Sequence, residues 1–109
     1  MARVEVDALH GKGSAEKKSV LSGVEAKYWL ARGDLQKASG FAEESLQFRR
    51  SPISLGLMAS IEAARSREAE QRGIANVAEM HRRRAVELNK EGLQIDPNNQ
   101  ALQHQLDSL

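Results

Sequence analysis

The chain has no cysteine, only two prolines and only four aromatic side chains among its 109 residues. Without cysteine there is no disulfide, no thiolate metal ligand and no cysteine nucleophile. Aromatic and β-branched residues, which sheets favour, are too few to build one. Excess charge of either sign is missing too: 16 basic residues face 15 acidic ones, for a net charge of +1. Nothing in that balance draws the chain as a whole to nucleic acid or to an anionic lipid surface. No apolar run approaches the ~20 residues of a membrane span, and the amino terminus has no signal-peptide core. These absences lead to the expectation of a cytoplasmic protein that engages neither membrane nor nucleic acid.

What the chain does hold is helix-forming stock: Ala, Leu, Glu, Lys, Arg and Gln dominate, the residues that lose least in a helix. An all-α fold in one domain follows. Stop and start signals divide it into four long helices and a short last one. Ser14 is a candidate cap for a first helix over about 15–32, which Gly33 closes. Asp34 caps a second over about 35–49, and a connection of Gly33-Asp34 alone forces an antiparallel hairpin. Ser51-Pro52, a hydroxyl cap followed by proline, restarts the chain for a third helix over about 52–71. A fourth runs over about 74–95 beyond Gly73, and Asp96-Pro97 opens a terminal capping helix over about 97–108. Residues 1–13 form a leader, either flexible or a short docking element, ended by Gly11-Lys12-Gly13.

Apolar spacing predicts which faces turn inward. In the first helix Val20, Leu21, Val24, Tyr28, Trp29 and Leu30 form a wide stripe. The third is apolar almost all round at its start (Ile53, Leu55, Leu57, Met58, Ile61), as buried central helices are. The fourth carries Ile74, Val77, Ala78, His81, Ala85, Leu88, Gly92 and Ile95 on one stripe, and Leu102, Leu106 and Leu109 share a face of the last. Tyr28, Trp29, Leu35, Phe41, Leu46, Leu88 and Ile95 are the expected heart of the core.

An internal echo organises these helices. Residues 38–48 lie over residues 85–95 at an offset of 47, with Ala, Glu, Leu and Gln recurring and each copy running into a restart, Ser51-Pro52 or Asp96-Pro97. Self-similarity at such a period marks stacked helical hairpins. Ala26, Trp29, Gly33, Leu35, Ala38, Ala42, Ser45-Leu46 and Pro52, with the exit Gly92-Leu93-Gln94-Ile95-Asp96-Pro97, resemble a tetratricopeptide repeat. The resemblance implies two stacked hairpins, about 15–49 and 52–95, with the terminal helix as a cap. The offset of 47 exceeds the family's 34, which predicts elongated helices or an insertion around residues 66–80.

Such arrays imply a non-catalytic scaffold whose groove receives a protein or peptide segment. By the resemblance, the groove positions are Val20, Gly23, Lys27 and Leu30 of the first helix, with Leu57 and Ile61 offered by the third. Only Lys27 fits the family's carboxylate-clamp pattern, which argues against capture of a free carboxyl terminus. An alternative is a homo-oligomerisation module that meets a second copy through the apolar third helix. A third reading makes Arg82, Arg83 and Arg84 a patch for acidic or phosphorylated ligands, although Glu79 and Glu87 stand at helix-pairing distances from the run.

Catalytic and cofactor chemistry finds no foothold. His10, His81 and His104 share no helix face, and no carboxylate sits at a metal-ligand offset from His81 on its stripe. His81 reads as a hydrogen-bonded core histidine. Gly11-Lys12-Gly13-Ser14 lacks the strand and spacing of a phosphate loop. Neither an enzyme nor a cofactor is expected.

Overall fold

A computed structural model describes residues 12–109. Its helices are α1 (Lys12–Ala31), α2 (Leu35–Phe48), α3 (Pro52–Gln71), α4 (Ala75–Ile95) and α5 (Gln100–Asp107), with no strand among the described residues. The leader expected over 1–13 lies outside them except for its last two residues, which open α1 upstream of the expected cap Ser14. Helix α1 packs on α2 and α3, α3 on α4 and α5, and α2 and α4 each on the helix that follows them. This is an all-α array of two antiparallel hairpins closed by a terminal helix.

The two hairpin turns are the same object 40 residues apart. At the first, the Asp34 amide donates to Trp29 O and the Gly33 amide to Leu30 O, each at 3.0 Å. At the second, the Ile74 amide donates to Ala69 O at 2.9 Å and the Gly73 amide to Glu70 O at 3.0 Å. Both glycines are left-handed, with φ of 83° and 76°, a conformation costly to any side chain with a Cβ. Asp34 then caps α2 through Lys37 N at 3.0 Å. Ser51 and Ser54 cap α3 reciprocally, the Ser54 amide donating to Ser51 Oγ and the Ser51 amide to Ser54 Oγ.

The period of 40 extends to the helix crossings. In the first hairpin Ser45 Oγ donates to Ser19 O at 2.8 Å and Ser19 Oγ to Ser45 O at 2.9 Å. The positions 40 residues on, Ala59 and Ala85, are both 0% exposed and belong to one buried cluster. Small residues at both crossings let the backbones approach closely. The offset of 47 read from sequence superposes the carboxyl-terminal halves of α2 and α4. Helix α4 is longer than α2, at 21 residues against 14, and a difference of seven is two turns that leave the inward face in register. Elongation of the second hairpin was expected, and it lies in its second helix.

The core is carried by Ala26, Ala38, Ala42, Leu46, Leu55, Leu57, Met58 and Ile61, with Trp29, Leu30, Phe41 and Leu88 half-buried against it. Helix α3 supplies half of the buried residues, as its nearly unbroken apolar start predicted. Helix α1 reverses expectation: Val20, Leu21, Val24 and Tyr28 are 60%, 61%, 59% and 51% exposed, while Ser19, Ser22 and Ala26 are buried. Its inward face is the small one, because the close crossing with α2 has no room for branched aliphatics. Ile95, expected in the core, is 54% exposed at the last residue of α4.

Helix α5 is seated by Leu102. A Cβ on Gly56 of α3 would fall 2.8 Å from Leu102 Cδ2, and one on Gly92 of α4 would fall 2.6 Å from Cδ1. The leucine therefore fills a socket that two glycines leave open. Beside it Ser60 Oγ donates to Gln105 Oε1 at 2.8 Å, and Gln105 Nε2 donates to Asn89 Oδ1 at 3.2 Å.

Candidate functional site

The outward stripe of α1 and the start of α3 enclose a groove of about 590 Å³. Val20 and Val24 form one wall and Ile53, 76% exposed, the other, with Leu57 between them. Gly23 lies in the floor, where a Cβ would make ordinary contact with Ser45 Oγ at 3.7 Å and Leu57 Cδ2 at 3.8 Å. The serine pair fastens α1 to α2 below the groove, and the Ser51 cap fixes where α3 begins. Polar groups edge the apolar strip: Glu16, paired to Arg49 at 2.7 Å, with Lys27, Asp96 and Asn99. Lys27 is exposed and has no ion-pair partner among the described residues.

Of the residues expected to meet a partner, Val20, Lys27 and Leu57 line this groove together with Gly23. Leu30 instead packs against the core, and Ile61 is 0% exposed within it. Ile61 therefore has no surface to offer, because its side of α3 is covered by the first hairpin. Two wall residues were not singled out from sequence. Val24 is one helical turn from Val20 on the same face, a signal hidden by assigning the whole stripe to the core. Ile53 follows Pro52 at the exposed tip of α3 and was counted with its buried neighbours.

The arginine run divides. Arg82 grips Glu79 with two hydrogen bonds, at 2.9 and 2.7 Å, and Arg83 adds a third at 3.0 Å. Those donors hold the Glu79 carboxyl at about 2, below its ordinary 4.5. Arg84 turns the other way, 3.7 Å from Glu43 and 3.4 Å from Glu62. Further along, Arg50 makes a two-pronged bond to Glu91, both contacts at 2.7 Å, tying the end of the first hairpin to α4. That bond is the main cause of the lowered Glu91 pKa and the raised Arg50 pKa.

His81 is 9% exposed, and its Nδ1 stands 2.5 Å from Oε1 of Glu62, which is 1% exposed. The hydrogen-bonded core histidine read from sequence is present, but its partner comes from α3 and so escaped any search along α4. Glu62 Oε2 is buried without a hydrogen bond, Arg84 approaching it outside bonding geometry. No group of three or more His, Cys, Asp or Glu among the described residues is placed to hold a metal ion. No described helix is long and apolar enough to cross a membrane. No family model, curated protein or solved structure matches the chain.

Proposed function

We propose that this chain is a non-catalytic interaction module of tetratricopeptide type, whose α1–α3 groove receives the apolar face of an amphipathic segment of a protein partner. The observation that carries the reading is the outward placement of Val20 and Val24 beside Ile53 and Leu57. A monomeric domain has no internal reason to expose a contiguous aliphatic strip in a concave setting. Strips of this width suit a helix laid in a groove, with anchors at i, i+3 or i+4 and i+7. The hairpin order supports the tetratricopeptide assignment, since the first helix of each pair touches the first helix of the next element. Lys27 at the rim favours a partner with an acidic residue flanking its apolar face. A chain without cysteine suits the reducing cytoplasm, where we place it.

Selection from a displayed library of random peptides tests this. Enriched sequences should be amphipathic, should lose binding to Val24→Asp, and should leave the thermal transition of that variant unchanged. Failure to enrich any sequence, or equal binding to the variant, rejects the groove.

A second reading, assembly with another copy of the chain, is favoured by the exposure of Leu21 and Tyr28 on the same helix. It moves from α3, whose apolar residues other than Ile53 are consumed by the core, to α1. Concentration-dependent mass abolished by Leu21→Asp would establish it over the groove.

A further inference from the structure

The other end of the hairpins, where the two glycine turns lie side by side, holds a cavity of about 630 Å³ that the groove does not reach. Arg32 and Asp34 line it from the first turn, Arg65 and Arg72 from α3, and His81 from α4. Glu62 organises the site from behind. Its carboxylate can only accept, so the proton of the 2.5 Å contact belongs to Nδ1 of His81. Nε2 is then the atom left for the cavity: it has no hydrogen-bond partner among the described residues and is not sealed from solvent. A carboxylate behind an imidazole fixes the ring and its tautomer, the arrangement that prepares a histidine to engage something in front of it.

The charges around Nε2 favour an anion. Asp34 is occupied by the Lys37 amide, and Glu68 stands 3.9 Å from Arg72. Arg65 has no ion-pair partner among the described residues, and Arg32 lies over the Tyr28 ring, 5.4 Å from its centroid. Helix α4 starts at the same cavity, with no side chain accepting from its first amides, so the positive end of its dipole is unanswered there. Donors thus arrive from three elements: the first turn, α3 and α4. A tetrahedral group with three terminal oxygens can meet all of them, whereas a carboxylate presents two oxygens in one plane.

We propose that this cavity binds a phosphoryl group, with Arg65 as its bidentate partner, the first amides of α4 as further donors, and Glu62 as the residue that positions His81 against the bound group. Arg32 and Arg72 close the sides.

The test is a titration of the whole chain at fixed ionic strength, which removes general screening, followed by the imidazole resonances of His81. Inorganic phosphate is the first probe, and glycerol 3-phosphate the second, reading a phosphomonoester rather than the free ion. Saturable shifts at His81 with at least one probe are expected, with those of His104 unmoved. Arg65→Ala, a change on a half-exposed side chain, should raise the midpoint roughly tenfold or more, the loss of a hydrogen bond to a charged group. Arg65→Lys should recover only part, because the fork is lost. Shifts that never saturate with either probe overturn the proposal, and so does a midpoint unchanged in Arg65→Ala.

Discussion

Alanine at Gly92 is the sharpest probe of how the array is closed. The added Cβ would stand 2.6 Å from Leu102 Cδ1, and Leu102, at 4% exposure, has nowhere to go. Swinging away from α4 drives its other methyl toward Gly56, where the clearance is already that of a bare glycine. Overpacking of this kind costs about 1–3 kcal/mol. Against it, alanine in a helix interior gains about 1 kcal/mol over glycine. The balance is a loss of roughly 0–2 kcal/mol in the parent chain. Leu102→Ala alone should cost about 2–5 kcal/mol, since it empties the socket. In that background the steric conflict is gone while the propensity gain remains, so Gly92→Ala should now stabilise by about 1 kcal/mol. The effect of one substitution thus changes sign with the other, a coupling of about 1–3 kcal/mol in a double-mutant cycle. Urea unfolding followed by helical circular dichroism measures it, provided the slope is common to all four proteins. If Gly92→Ala stabilises equally in both backgrounds, Leu102 is not seated between the glycines and α5 is held some other way.

Other perturbations have equally definite outcomes. His81→Phe strands the Glu62 carboxylate in the core and should cost about 3–5 kcal/mol, whereas adding Glu62→Leu should recover most of it; unfolding curves that show no recovery contradict the buried pair. Ser19→Ala with Ser45→Ala reproduces the Ala59–Ala85 crossing, so together they should change stability by less than about 1 kcal/mol in the same assay. Val24→Asp, on a 59% exposed residue, should alter stability by less than about 0.5 kcal/mol, and a large loss would mean that α1 faces inward after all. The Glu79 carboxyl should titrate at about 2 by carbon-detected resonance. A lowered folded pKa stabilises above the ordinary carboxylate range, and that contribution disappears as pH falls from about 4.5 toward 2. Arg82→Ala with Arg83→Ala should return the midpoint toward 4.5, and a parent chain that already titrates there refutes the contacts.

The element boundaries were legible because each has a local chemical cause. Gly33 and Gly73 supply left-handed turns, Ser51-Pro52 supplies a cap and a fixed φ, and Asn99 accepts from Leu102 N at 3.0 Å to start α5. Three residues separate that start from the expected one, since Asp96-Pro97-Asn98 is spent as a turn. The facing of α1 was not legible. Periodicity equates apolar with inward, but the α1–α2 crossing selects for size, and a serine that bonds to a neighbouring carbonyl is as much a core residue as alanine. Tyr28 was misassigned with that stripe, and Ile95 because a helix end outruns the elements packed on it. The repeat was found at 47 rather than 40 because the similarity lies in the end of the hairpin, downstream of the two extra turns of α4. For the groove, a resemblance named Val20, Lys27 and Leu57, which line one surface. Ile61 fell one turn too deep, and Leu30 on the core side. The Glu62–His81 pair joins residues from two helices, a relation that no spacing along one helix reveals.

The proposed function requires that the outward strip of α1 form an open groove on a free chain. Sedimentation equilibrium over a wide concentration range tests it most directly. An open groove on a free chain gives the mass of a single chain throughout, with Val24→Asp indistinguishable from the parent. A stable dimer that Val24→Asp converts to monomer would contradict it, because the strip would then already be occupied by a second copy.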